Sequence, residues 1–134
     1  MAKHYDLSIE YRHWPQPYQA FAHDAAVAAV CAGEQGRFDQ MHDLLYLKQA
    51  EFGVESFHPF ATEIGIRDLR RFDACLRSSS ARSVADADVR AAREIGGAGT
   101  PTLVIDGVVH RLRADTTWQP RPLDSLLAAK RANQ

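Results

Sequence analysis

The sequence contains no Cys-x-x-Cys, and its 134 residues hold only two cysteines, Cys31 and Cys75. Thiol–disulfide exchange needs a thiolate with a resolving thiol close by, so dithiol redox catalysis by these residues is not expected. Two cysteines are also too few for a disulfide scaffold. No apolar run approaches the roughly 20 residues of a membrane-spanning helix, and solubility is expected. With 16 Lys+Arg against 17 Asp+Glu, no global field draws nucleic acid or an anionic membrane, so neither is expected as a partner. A Gly-rich phosphate loop, a nucleophile elbow and a basic stacking platform are all missing. Of the six histidines, at positions 4, 13, 23, 42, 58 and 110, no two fall at the i, i+4 spacing that puts ligands on one helical face. Neither a metal nor a cofactor is expected. The first six residues lack an apolar signal core and a cleavage pattern, so the chain as written is expected in the cytoplasm. A gene start further upstream would remove that argument and leave an extracytoplasmic location open.

What the chain does contain is one domain's worth of ordinary globular sequence, with 46% hydrophobic and 25% charged residues. Residues 7–13 alternate Leu7, Ile9 and Tyr11 with polar neighbours, the period of a half-buried strand, which Pro15 and Pro17 terminate. An alanine-rich helix is expected over residues 18–32, with Phe21, Ala25, Ala28 and Ala32 as a small-residue stripe that lets another element approach. Further helices are expected over residues 37–51 (Phe38, Met41, Leu44, Leu45 inward), 57–64 (capped by Ser56, ended by Gly65) and 68–76 (Leu69, Phe72, Cys75, Leu76). A longer one, begun within Ser78 to Ser80, carries Val84, Ala85, Val89, Ala92 and Ile95 inward. Asp39, Asp43, Asp86 and Asp88 read as solvated helix faces, the latter two with Arg90 and Arg93 as partners. Asp106-Gly107 between residues 102–105 and 108–112 is a strong hairpin signal. A last helix is expected over residues 122–130. Trp14 and Trp118 read as a core edge and a surface anchor. The order predicts an α/β (α+β) domain with helices packed on a small sheet.

The segments EYRHWPQP, AHDAAVAAVCAGEQGRFDQMHDLLY, FDACL and GAGTPTLVIDG resemble the DsbA-like branch of the thioredoxin superfamily over nearly the whole chain. That resemblance implies a single thioredoxin-fold domain over residues 1–134 with a helical insertion at about residues 18–80. It makes Thr100-Pro101 the substrate loop, Pro101 cis, with the Thr100 backbone free to pair with an extended protein segment. Without it, a trans Pro101 opening an edge strand fits equally well. By the same resemblance residues 1–5 match the tail of the first helix. The first strand, the catalytic dithiol and most of that helix are then expected to have been cut away. A sheet without its central strand exposes edges, so a homodimer or higher oligomer is the expected partner state.

For Cys31 and Cys75 two readings stand: buried free thiols packing as small hydrophobes, or the structural disulfide that some relatives carry. A catalytic role is expected for neither. The family function is protein thiol–disulfide oxidoreduction, and the expectation for this chain is an inactive, peptide-binding or self-associating form. The alternative is a glutathione-dependent relative of the kappa-class transferase or chromene carboxylate isomerase type, disfavoured by the Thr100-Pro101-Thr102 loop.

Overall fold

The computed structural model describes residues 7–53, 56–97, 99–111 and 127–128. The chain divides into two compact units, Arg12–Ile95 and, separately, Met1–Tyr11 with Gly96–Gln134.

The first unit is helical and is organised around α1, Ala22–Gly33. A helix that is apolar on every side must be buried, and here Ala25, Ala26, Val27, Ala28, Ala29, Cys31 and Ala32 are all buried. Their short side chains let three helices pack on α1: α2 (Phe38–Leu47), α4 (Leu69–Leu76) and α5 (Ser79–Glu94). The short α3 (His58–Glu63) packs on α2 and α4. Phe72, Met41, Val27 and Cys31 are the largest fully buried side chains. Phe52, Phe57 and Phe60 form a satellite aromatic cluster with ring centroids 5.5–6.0 Å apart.

Helix ends follow local chemistry. After α1, Gly36 takes φ +72°, the Arg37 N–H donates to the Ala32 carbonyl at 2.9 Å and the Gly36 N–H to that of Gly33 at 3.0 Å, which is the Schellman termination that a left-handed glycine permits. Gly65 closes α3 in the same way, with Ile66 donating to Ala61 at 2.9 Å. Asp68 caps α4 by accepting from the Arg71 N–H, and Ser78 caps α5 by accepting from that of Ala81. The Gln35 amide adds a two-way bond to the Asp68 backbone, 2.9 and 3.0 Å, tying the end of α1 to the start of α4.

Three boundaries differ from the sequence expectation. The first helix begins at Ala22 because a turn from Gln16 through Gln19 and a left-handed Phe21 (φ 64°) precede it. The second stops at Leu47, with Gln49–Glu51 as a separate 3-10 turn. Residues 7–13 are not a strand of the described sheet, and Ile9 and Tyr11 are exposed. Alternation specifies two faces, whereas a strand also needs a neighbour in register.

In the second unit, β1 (Thr102–Ile105) and β2 (Val108–Arg111) form an antiparallel hairpin pairing Thr102 with Arg111 and Ile105 with Val108. The turn residues Asp106 and Gly107 have φ +48° and +81°, the two positive values that a two-residue hairpin of right-handed twist requires. Leu127 is helical and buried. The rest of the expected last helix, Leu112, Trp118 and residues 1–5 lie outside the described residues.

Candidate functional site

The loop leading into β1 is built from Gly99, Thr100 and Pro101. Gly99 takes φ +146°, the Thr100-Pro101 peptide bond is cis, and Thr100 and Pro101 are both exposed. The Thr102 hydroxyl donates to the Gly99 carbonyl and closes the loop on itself. The loop presents backbone at the mouth of the hairpin, and no described side chain there carries a thiol.

The two cysteines are elsewhere, in the helical unit, and they are bonded to each other. Cys31 and Cys75 have Cα atoms 5.7 Å apart, and no cysteine is free. Of the two sequence readings, the disulfide is the one found. Both residues lie in the core, 0% and 8% exposed. Cys31 is in the last turn of α1 and Cys75 in the last turn of α4. The negative end of the helix dipole lies there, which disfavours a thiolate, whereas reactive cysteines sit at helix N-termini. The bond therefore crosslinks α1 to α4 and supplies no nucleophile.

Sequence reasoning missed Asp88. Read as a solvated position, it is 7% exposed and accepts from the His13 backbone N–H at 2.9 Å and from Arg12 Nη1 at 3.1 Å. The expected partners Arg90 and Arg93 are not the ones it uses. A usable signal existed, because Ala81, Ala85 and Asp88 fall at i, i+4, i+7, and these are the three residues that α5 buries. Val84 and Ile95, expected inward, are 47% and 48% exposed. The carboxylate thus anchors the entry segment of this unit onto α5. His13, buried beside it, packs edge-on to Phe38 with centroids 5.9 Å apart. Burial pushes its imidazole below the ordinary pKa of 6.5, against the pull of Asp88 and with a smaller push from His42.

The other histidines of this unit each meet one carboxylate. His23 Nε2 lies 3.0 Å from Asp86, His42 Nδ1 3.0 Å from Asp43 and His58 Nδ1 2.8 Å from Asp73. Asp86 and Asp43, also read as merely solvated, are half of such pairs. Among the described residues no three His, Cys, Asp or Glu side chains come together to hold a metal ion.

Residues 4–120 match the family model described as Thioredoxin. The chain is 36% identical over 106 residues to a protein named Na(+)/H(+) antiporter NhaA 3 of Salinispora tropica, covering 77% of this chain and 16% of that protein. It is 30% identical over 126 residues to Na(+)/H(+) antiporter NhaA of Herminiimonas arsenicoxydans, covering 94% and 19%. With NhaA 1 of Mycolicibacterium gilvum the figures are 33% over 124 residues, 90% and 20%. The chain thus spans a fifth or less of the length of these curated relatives. No solved structure matches it. Among the described residues no helix is long and apolar enough to cross a membrane.

Proposed function

The chain belongs to the thioredoxin family, and we propose that it is a DsbA-like domain that holds extended polypeptide at Thr100-Pro101 without performing thiol exchange through residues 1–134. The observation that carries this reading is the fate of the sulfurs. Both cysteines are consumed in one buried bond at helix C-termini, so no thiolate stands ready to attack a substrate disulfide. The exposed Thr100 and Pro101 at the start of β1 support strand-like pairing with a guest segment, because backbone at the end of a short hairpin can extend the ladder. A second copy of the chain is one such guest, and self-association is read as the same property.

A buried disulfide is suited to an oxidising compartment, and this favours an extracytoplasmic setting over the cytoplasmic one expected from the first residues. Antiport is read as an activity of the remaining four fifths of the relatives, not of the segment they share with this chain.

The test has two arms. The purified oxidised chain is expected to leave insulin disulfides intact and to give scrambled ribonuclease no reoxidation above the uncatalysed rate. A reduced, alkylated unfolded polypeptide is expected to shift the backbone resonances of residues 99–104. Turnover in either redox assay would overturn the inactive reading, and retention on immobilised glutathione would move the assignment to the glutathione-dependent class. A sedimentation profile that stays monomeric at micromolar concentration would remove self-association.

A further inference from the structure

Phe21 occupies a backbone conformation that a bulky residue rarely adopts, φ 64° and ψ 3°, just ahead of α1. The left-handed region costs a residue with a Cβ about 1–2 kcal/mol. Core burial does not offset that cost, since Phe21 remains 46% exposed. Its ring is seated against Gly53, where an added Cβ would lie 2.4 Å from Cε2 and Cζ. Held this way, the ring stands as a wall between two clefts of the helical unit, one of about 290 Å³ and one of about 330 Å³. A half-exposed aromatic residue in a left-handed conformation, its ring against a glycine, is the kind of feature that persists at ligand clamps.

The larger cleft lies between the 15–19 turn, the start of α1 and the outer face of α5. Pro15, Pro17, Val89 and the Phe21 ring give it apolar walls. Both carboxylates that line it are already engaged, Asp86 by His23 at 3.0 Å and Asp24 by Arg82 at 3.7 Å. The Arg93 guanidinium also lines it and makes no hydrogen bond or ion pair among the described residues, and the same holds for the Gln19 side-chain amide. The donors left for a guest are therefore a guanidinium and an amide above an aromatic and aliphatic floor. Guanidinium pairs with carboxylate in two parallel hydrogen bonds, and a volume near 300 Å³ is at the small end of ligand sites.

We infer that this cleft binds a small carboxylate with an adjoining apolar body, the body on Phe21, Pro15 and Val89 and the carboxylate on Arg93. Such a group can come from a free organic acid or from the carboxy-terminal residue of a polypeptide. The site is independent of the Thr100-Pro101 loop and of the reading given to it.

The experiment is a titration of the isotope-labelled chain, followed by backbone resonances of Gln19, Val89 and Arg93. The probes are 3-phenylpropionate, its amide, phenethylamine, and a blocked pentapeptide ending in phenylalanine with either a free or an amidated carboxy terminus. The acid forms are expected to bind roughly tenfold more tightly than the amides, the low end for a charge-assisted hydrogen bond at an open surface. Binding by the peptide acid alone would identify a polypeptide terminus as the source, and binding by both acids a free acid. Arg93→Gln is expected to erase the acid-over-amide preference. Phe21→Asn is expected to weaken every probe without lowering the unfolding midpoint, because asparagine tolerates the left-handed conformation. No shift with any acid, equal affinity for acid and amide, a preference for the amine, or an acid preference that survives Arg93→Gln would each overturn the inference.

Discussion

Removing the Cys31–Cys75 bond is expected to take away a large share of the stability of the helical unit. The bond closes a loop spanning 44 positions, and constraining the unfolded chain over that length is worth about 4 kcal/mol at 25 °C. A domain of this size has in total about 5–15 kcal/mol. What remains holding α1 to α4 is apolar packing and the Gln35 amide on the Asp68 backbone, with each such hydrogen bond contributing about 1 kcal/mol. At about 4–8 °C per kcal/mol for a domain of 60–100 residues, the melting midpoint should fall by roughly 15–30 °C. Urea unfolding of Cys31→Ala/Cys75→Ala against the oxidised parent, followed by helical circular dichroism, measures the loss. The denaturant slope of the variant should rise, because its unfolded chain expands. Since Cys31 is fully buried, dithiothreitol should reduce the native bond only as fast as the unit opens. A loss below about 1 kcal/mol, or rapid reduction with no unfolding, would refute the structural role and return the bond to the redox candidates.

Asp88→Ala should destabilise by about 2 kcal/mol, because the buried His13 N–H loses its charged acceptor. Arg12→Ala, removing a side chain 61% exposed, should cost less than about 1 kcal/mol, and equal losses in denaturant titrations would contradict the burial argument. His13 has a folded pKa below 6.5 because burial penalises its charged form, so the unfolded chain binds the extra proton. Its contribution to stability is complete above pH 6.5 and declines as pH falls towards the folded value, levelling off below it. Unfolding free energies at pH 5.5, 6.5 and 7.5 should therefore show a slope that His13→Gln reduces, and an unchanged slope would remove His13 as its source. Gly107→Ala should cost about 1 kcal/mol through its φ of +81° alone, since a Cβ there would meet nothing within 4 Å; a larger loss by thermal unfolding would point to packing instead.

Local chemistry made much of the architecture legible in advance. The alanine-rich helix, the helix start at Ser78, the Gly65 termination and the Asp106-Gly107 hairpin all involve groups within a few residues of each other, and such interactions are written in the spacing. The errors share a different character. Residues 7–13 have a strand's alternation, but pairing is decided by a neighbour's backbone. The alanine run continues back to position 20, yet a turn and a left-handed Phe21 start the helix at Ala22. Asp88 carries a charge, and charge usually signals solvent, but Arg12 and the His13 N–H come to it across more than seventy residues.

Readable from the order of residues alone are the absence of a Cys-x-x-Cys in residues 1–134, the Gly-Thr-Pro segment ahead of a hairpin signal, and helix-forming runs over most of the chain. These follow from residue identity and from interactions over a few positions. It takes the folded core to join Cys31 to Cys75, to make Asp88 an internal anchor and to set Phe21 on the walls of two clefts. Each of these depends on which distant groups meet once the core closes. Burial then changes what a side chain can do: a cysteine becomes a crosslink and a surface carboxylate becomes a buried acceptor.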